Sequence, residues 1–421
     1  RLLGLSMNPY GWQGIVALQT VGSISFASIL LLSALEQIDS KLIQASRDLG
    51  ADMGRTLRSV LIPQIMPTIL SVIFLLFTMN LSDFGTPIVI GGNFRVLATE
   101  AYLQILSSPD LGTAAAISML MIPPAIVAFF LYRHAMRGQT NMAEGSKTQR
   151  FHDETYRFPL RIRLVLATAF GLFVLVMLLK YANILLSAVA NTSGGQIRWT
   201  WHNWLNLPKT FPDSFANSLI FSVAAALIST FFGVLISYYT HRRKLRGMAW
   251  IEFIASLPFV IPGTFFGLGY VAAFSKPPIH ISGTALIVIA NLAFRQISVA
   301  NKSANAALSN IDPKIDLAAK DLGASDVRIL FGILLPTLKQ TLLTGFITIF
   351  TASMTAVGAI AFLISPGNNV AAVELFRSIE NGQYGVGSVQ AVIIIVVATS
   401  INLFTMWRLG RKPGAHLNSR S

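Results

Sequence analysis

Two polar stretches, residues 34–63 and 307–336, contain the side chains of this chain that are best suited to a function. With an offset of 273 residues and no gap, 14 of the 30 paired positions are identical. In each copy an alanine and a leucine four residues apart form a small apolar face, flanked by a basic residue and an aspartate. A short helix with such a face can dock into a groove of another protein. An amphipathic connector lying on a lipid surface is the alternative interpretation.

Both stretches carry start and stop signals for a helix of about three turns, roughly 15 Å long. Asp39 and Asp312 are suited to accept hydrogen bonds from the N–H groups of the first turn. Gly50 and Gly323 follow where a left-handed residue ends a helix. The sequence therefore predicts short helices at about 39–50 and 312–323.

Catalytic and metal chemistry find little support in the sequence. The chain has no cysteine, its six histidines are scattered, and no Gly-Lys dipeptide is present to form a phosphate-binding loop. We expect that the chain is not an enzyme, binds no metal or cofactor, and relies on another chain for any use of ATP.

The composition is that of a membrane protein, with 53% hydrophobic and 12% charged residues. Apolar runs near 20 residues predict about nine membrane spans. These spans are 12–33, 65–90, 113–132, 164–187, 216–240, 248–274, 281–300, 338–364 and 387–407. The fold class is therefore an all-α polytopic membrane protein.

The basic residues indicate how the spans are oriented. The linker 133–163 carries seven Lys or Arg against three acids, which is typical of a cytoplasmic loop. The net charge of +14 then reports topology, and nucleic-acid binding is not expected. Six spans separate the two polar stretches, so both lie on the cytoplasmic side and the repeat is parallel.

This count predicts the domain organisation. Residues 1–132 would be the last three spans of a first six-span domain, whose earlier spans would precede Arg1. Residues 133–163 are the linker, 164–410 a complete second six-span domain, and 411–421 a cytoplasmic tail.

The two stretches resemble the EAA motif of permease subunits in binding-protein-dependent ABC importers of type I (MetI-like domains). In that family the motif forms the coupling helix that docks into a cleft of the cytoplasmic ATPase. The motif's glutamate is replaced by Gln44 and Leu317, whereas its glycine and proline match. The residues that the resemblance assigns to ATPase coupling are Ala45, Ser46, Asp48, Gly50, Ala51, Pro63, Ala318, Ala319, Asp321, Gly323, Ala324 and Pro336.

Two further segments are similar to fused permeases for ferric iron. They are the stretch from Ser82-Asp83-Phe84-Gly85-Thr86-Pro87 to Glu100, and the stretch from Leu257-Pro258-Phe259 to Lys276-Pro277-Pro278. Related fused permeases serve thiamine, phosphonates and sugar phosphates. The resemblance implies two ATPase subunits and a periplasmic or lipid-anchored binding protein as partners. It also implies a location in the bacterial inner membrane.

Five polar positions in the spans could line a pathway: Asn80, Ser82, Asp83, Ser353 and Thr355. Intramembrane charges are costly and usually serve a purpose. A cap at a helix break before Gly85 is the alternative for Asp83, and interhelical hydrogen bonds are the alternative for the others. Arg295 falls late in its predicted span, where it would reach the cytoplasmic surface.

Two other classes of membrane protein, an ion-coupled secondary transporter and a membrane enzyme, fit the sequence less well. An ion-coupled secondary transporter would usually show inverted repeats and a charged midplane site, which the parallel repeat disfavours. A membrane enzyme would need a cluster of acids, bases or nucleophiles.

Overall fold

The computed structural model describes residues 10–35, 38–107, 111–143, 160–191, 197–309 and 311–410. Within these ranges the regular structure is helical, apart from two antiparallel two-residue strands, β1 (Ala190–Asn191) and β2 (Arg198–Trp199). The all-α class is therefore confirmed. The chain divides into two compact units: one covers Arg1–Tyr181 and Val260–Thr264, and the other covers Ala182–Phe259 and Phe265–Ser421.

Among its described residues, the first unit contains eight helices and the larger part of a ninth. These are α1 (Trp12–Leu35), α2 (Ser40–Asp48), α3 (Met53–Thr56), α4 (Ile62–Leu81), α5 (Gly85–Ile90), α6 (Leu97–Ser107), α7 (Leu111–Met119), α8 (Ile122–Ala143) and α9 (Leu160–Val189). A π-helical turn, Leu57–Leu61, joins α3 to α4. Helix α4 packs against α1 and α8.

Ten helices follow among the described residues and belong to the second unit, except that Val260 and residues 263–264 are assigned to the first unit. These are α10 (His202–Leu205), α11 (Phe211–Ser237), α12 (Met248–Val260), α13 (Gly263–Phe274), α14 (Ala285–Ser309), α15 (Lys314–Asp321), α16 (Asp326–Ile329), α17 (Leu335–Met354), α18 (Ala371–Glu380) and α19 (Tyr384–Gly410). Further π-helical turns, Tyr238–Arg242 and Leu330–Leu334, follow α11 and precede α17.

Seven helical segments among the described residues are long and apolar enough to cross a membrane, and α12 with α13 would make an eighth. The predicted span 281–300 corresponds to α14, which is outside this apolar set. It continues to Ser309, so Arg295 lies ten residues from its start and near its middle. Because the polar residues after position 300 continue the helix, Arg295 does not lie late in α14, and its approach to the cytoplasmic surface stays a prediction.

Two predicted spans end earlier in the chain than expected. Helix α4 stops at Leu81 and α17 stops at Met354, so 65–90 and 338–364 are not continuous helices. These two ends are 273 positions apart, as the sequence repeat requires.

Close packing of small residues builds the centre of the second unit. Helix α11 runs beside α14, where the Ser229 hydroxyl donates to the Ala293 carbonyl at 2.8 Å. Gly233 lies so close to Ala300 that an added Cβ would be 2.4 Å from the Ala300 Cβ. Small residues of this kind let helix backbones approach in a membrane, where dispersion contacts replace the hydrophobic driving force.

Candidate functional site

The two polar stretches fold into the same succession of elements. The first and last residues of α3, of the π-helical turn after it and of α4 recur 273 positions later in α16, the second copy's π-helical turn and α17. Only the preceding short helices differ slightly, since α2 has nine residues and α15 has eight. The sequence repeat is therefore a structural repeat as well.

Aspartate side chains begin both short helices, as the sequence predicted. The N–H of Lys41 donates to Asp39 Oδ1 at 3.0 Å, and the N–H of Lys314 donates to Asp312 Oδ1 at 2.9 Å. Each bond satisfies a backbone donor that the helix itself leaves unpaired.

Left-handed glycines end both helices. Gly50 has φ +79° and Gly323 has φ +80°. At the end of α2, the Gly50 N–H donates to the Arg47 carbonyl at 2.8 Å and the Ala51 N–H donates to the Ser46 carbonyl at 3.1 Å. Helix α15 repeats both bonds with the same spacing, at 2.8 and 3.0 Å. This is a Schellman motif, in which glycine adopts the left-handed conformation without steric cost.

An exposed leucine stands at the tip of each helix. Leu49 is 88% exposed and Leu322 is 89% exposed. Ala45 and Ala318, one turn earlier, are exposed too, as are Asp48 and Asp321. The apolar face that the sequence predicted is therefore open in both copies, and a partner that covered it would bury a leucine side chain at each tip.

The inner side of each helix uses different chemistry in the two copies. The hydroxyls of Ser46 and Thr56 are hydrogen-bonded at 3.0 Å, and Thr56 is fully buried. The equivalent Ala319 and Ile329 pack together in an apolar cluster. Ser46 and Ala319 thus lie on the inner side, so any role in coupling is to position the helix. Ala51 and Ala324 are partly buried, and Pro63 and Pro336 are the exposed second residues of α4 and α17.

Sequence reasoning missed two arginines that hold the second copy. Arg242, in the basic segment after α11, forms an ion pair with Asp316 of α15 at 2.9 Å. Arg243 forms another with Asp326 of α16 at 2.5 Å. A signal was present in the repeat, because both aspartates replace apolar residues of the first copy.

Asp83 lies just beyond α4 and is bonded on two sides. Its Oδ1 accepts the N–H of Thr86 at 3.2 Å, which caps α5, and its Oδ2 accepts the Gln19 side-chain amide of α1 at 3.2 Å. The neighbouring Asn80 amide approaches the Ser23 hydroxyl at 3.5 Å. These contacts favour the alternatives of a helix cap and interhelical hydrogen bonds.

The other three pathway positions lie at helix ends. The Ser82 and Thr355 hydroxyls donate to backbone carbonyls of their own helices at 3.0 Å. Ser353 is buried, and its hydroxyl has no hydrogen-bond partner within the described ranges. A pathway role for these residues stays a prediction.

A search of the described residues for three or more His, Cys, Asp or Glu side chains able to hold a metal ion finds no such group.

Comparison with known proteins identifies the architecture. The family model described as "Binding-protein-dependent transport system inner membrane component" matches residues 2–140 and 229–409. This chain belongs to that family. As such a permease component it is a multi-pass inner-membrane protein, and its family is one of transport proteins.

The relatives of the permease component include proteins named for iron. The ferric transport system permease protein FbpB of Actinobacillus pleuropneumoniae is 28% identical over 408 residues, which cover 95% of this chain and 59% of the relative. A relative from Haemophilus influenzae, also named for ferric transport, is 28% identical over 368 residues, covering 86% of this chain and 58% of its own. The chain thus spans less than two thirds of these relatives.

A solved structure shares the fold of the permease component. A bacterial ABC transporter that imports the acidic polysaccharide alginate aligns with a TM-score of 0.51 and 16% identity, over 60% of this chain and 97% of that chain. At this identity the likeness concerns the fold alone.

Proposed function

We propose that this permease component is the membrane part of an ATP-driven importer for ferric iron. An external binding protein, periplasmic or lipid-anchored, delivers the cargo, and the permease moves it across the inner membrane by alternating access. This chain spans 59% of the Actinobacillus relative, and the proposal concerns the activity of a whole permease of that kind.

The two short helices support the ATPase part of the proposal. Each presents a leucine that is nearly nine-tenths exposed, on a helix held by an aspartate cap and a glycine stop. We propose that α2 and α15 each dock into one cytoplasmic ATPase subunit. ATP and Mg²⁺ bind to those subunits and no cofactor binds to this chain. Closure of the ATPase pair then moves both helices together.

The observation that carries the iron assignment is the 28% identity to a ferric transport permease across 95% of this chain. Delivery by a binding protein also means that the permease needs no tight metal site of its own.

The test uses the full-length permease with its ATPase and binding protein in lipid vesicles. ATP hydrolysis is recorded with the binding protein empty, loaded with ferric iron, or offered a sugar phosphate, a phosphonate or thiamine. We expect stimulation by the iron-loaded form alone. Stimulation by another compound would keep the ABC importer and overturn the cargo. A lack of stimulated hydrolysis under every load would overturn the importer and favour an ion-coupled transporter.

A further inference from the structure

The loop after α11 contains an arginine that is bonded to three separate elements. Arg242 donates from Nε to Asp316 Oδ2 at 2.9 Å and from Nη2 to Asp316 Oδ1 at 3.3 Å, and the two residues thus form a bidentate ion pair. Its Nη1 donates to the carbonyls of Ile311 at 2.8 Å and Leu308 at 3.4 Å. Its Nη2 also donates to the Asp312 carbonyl at 3.0 Å.

These bonds join the end of α11 to α15 and to the C-terminal end of α14. Carbonyl groups at a helix end lack partners within the helix and attract a cation. Arg242 therefore contacts the last turn of α14 through the Leu308 carbonyl, which also accepts the Ile311 N–H at 3.1 Å, and it is bonded to the first turn of α15 through Asp316. One side chain thus connects α15 with the end of α11 and with α14.

The next residue holds the following helix in the same way. Arg243 pairs with Asp326 of α16, and its Nε donates to the Tyr238 hydroxyl at 2.7 Å. The guanidinium also lies over the Tyr238 ring, 5.3 Å from its centre. Lys320 of α15 reaches the same Asp326 carboxylate at 3.5 Å.

The ion pair between Arg242 and Asp316 is buried. The Arg242 and Asp316 side chains are only 10% and 7% exposed. Loss of either partner would leave a charge in a poorly hydrated site, whereas surface ion pairs can be lost with little effect. Arginine is the cation suited to this site, since its planar fork bonds the carboxylate and the carbonyls together.

The first copy lacks both acidic partners. The positions equivalent to Asp316 and Asp326 are Ile43 and Met53. There the short helix is tied to α3 by the bond between the Ser46 and Thr56 hydroxyls. The two short helices are therefore held to their own units by different interactions, although their caps and stops are the same.

We infer that Arg242 and Arg243, which we call the arginine anchor, are positioning residues that hold α15 and α16 to α11, and that this coupling linkage is specific to the second copy. The inference rests on the proposed function where it concerns coupling. The holding of α15 can be tested without any ATPase.

The first experiment measures the position of the helix directly. This chain has no cysteine, so one introduced at Leu322 or Leu49 is the only thiol within it and can carry a spin label once any cysteine elsewhere in the full-length permease is replaced. In the full-length permease without ATPase, Arg242→Gln is expected to increase label motion at 322 and to leave position 49 unchanged. Arg246→Gln, which removes a charge from an exposed residue of the same loop, is the matched control and should change neither label.

The second experiment measures coupling with the ATPase and loaded binding protein in vesicles. Arg242→Gln is expected to lower stimulated hydrolysis at least about tenfold, and to lower the cargo moved per ATP. Stimulated hydrolysis with Arg242→Lys should be intermediate between that of Arg242→Gln and that of the unmutated protein, because lysine keeps the charge but lacks the planar guanidinium. If Arg242→Gln does not accumulate in the membrane, Asp316→Asn replaces it, since asparagine keeps the side-chain shape.

The outcomes separate the two proposals. Failure of the unmutated protein to show stimulated hydrolysis overturns the proposed function, and the label still decides whether the anchor exists. If the unmutated protein is stimulated, and Arg242→Gln matches it in hydrolysis and label motion, the anchor is overturned. Equal label changes at 322 and 49 would also overturn it, because the effect would then be general loosening.

Discussion

The glycine that ends α15 offers the sharpest test of the site. Gly323 has φ +80°, and a Cβ built on it meets no atom within 4 Å. A Cβ at this position therefore strains the backbone without clashing with the rest of the chain. A left-handed conformation costs an ordinary residue about 1–2 kcal/mol, and a β-branched residue is an outlier there. Gly323→Val is thus expected to lower the population of the native turn by a factor of about 5–30.

Asparagine separates the backbone effect from a steric one. It occupies the left-handed region far more readily than valine, although its side chain is similar in size. The assay is ATP hydrolysis stimulated by the loaded binding protein, together with uptake, in vesicles containing the full-length permease and its ATPase. We expect Gly323→Val to lose most stimulation and Gly323→Asn to keep most of it.

The comparison of the two variants can refute the reasoning. Equal loss in both would show that the side chain collides with a partner and that the turn geometry is not the cause. Normal stimulation with valine would show that the Schellman stop is dispensable. The same pair at Gly50, where φ is +79° and the added Cβ also meets open space, tests whether both helices follow the rule.

Three further predictions concern the packing around the site. Ser46→Ala should destabilise the permease by about 1–3 kcal/mol, because it leaves the buried Thr56 hydroxyl unpaired. Adding Thr56→Val should recover most of this stability in thermal unfolding, and additive effects of the two substitutions would contradict the prediction. Gly233→Ala should lower the free energy of unfolding by about 1–3 kcal/mol because it overpacks α11 against α14, whereas Gly171→Ala in α9, where the added Cβ has open space, should be neutral or slightly stabilising. Similar shifts of the melting temperature in the two variants would refute the packing argument. Asp83→Asn should keep uptake within about twofold of the unmutated protein, because the asparagine oxygen can still accept the Thr86 N–H, whereas Asp83→Leu should reduce uptake further. A loss of uptake with asparagine as large as that with leucine would indicate that the charge of Asp83 acts in the pathway.

The elements of the site could be predicted because their signals are local. An aspartate before a helix and a glycine after it act on backbone groups a few residues away, so Asp39, Asp312, Gly50 and Gly323 were recognisable from their spacing alone. The fixed offset between the copies added a second, independent signal. The membrane class followed from composition, because a hydrocarbon environment requires long apolar helices.

The ends of the long helices were less predictable. Apolar residues resume a few positions after Leu81 and Met354, so hydrophobicity alone extended both spans too far. At the first of these ends, Asp83 stabilises the break by bonds to Thr86 and to Gln19, which lies 64 positions away. Conversely, α14 continues through polar residues that a hydrophobicity criterion would exclude from a span.

What the sequence by itself determined was the helical membrane class, the repeat, and the start and stop of each short helix, since these depend on neighbouring residues. Only the tertiary structure decided which side of each helix is free. Leu322, which follows α15, and Ala319 within it are three positions apart, yet the first is exposed and the second is buried in the cluster that contains Ile329. The pairing of Arg242 with Asp316, 74 positions away, was decided there too, because an arginine in a basic loop is ordinary until folding excludes water from it.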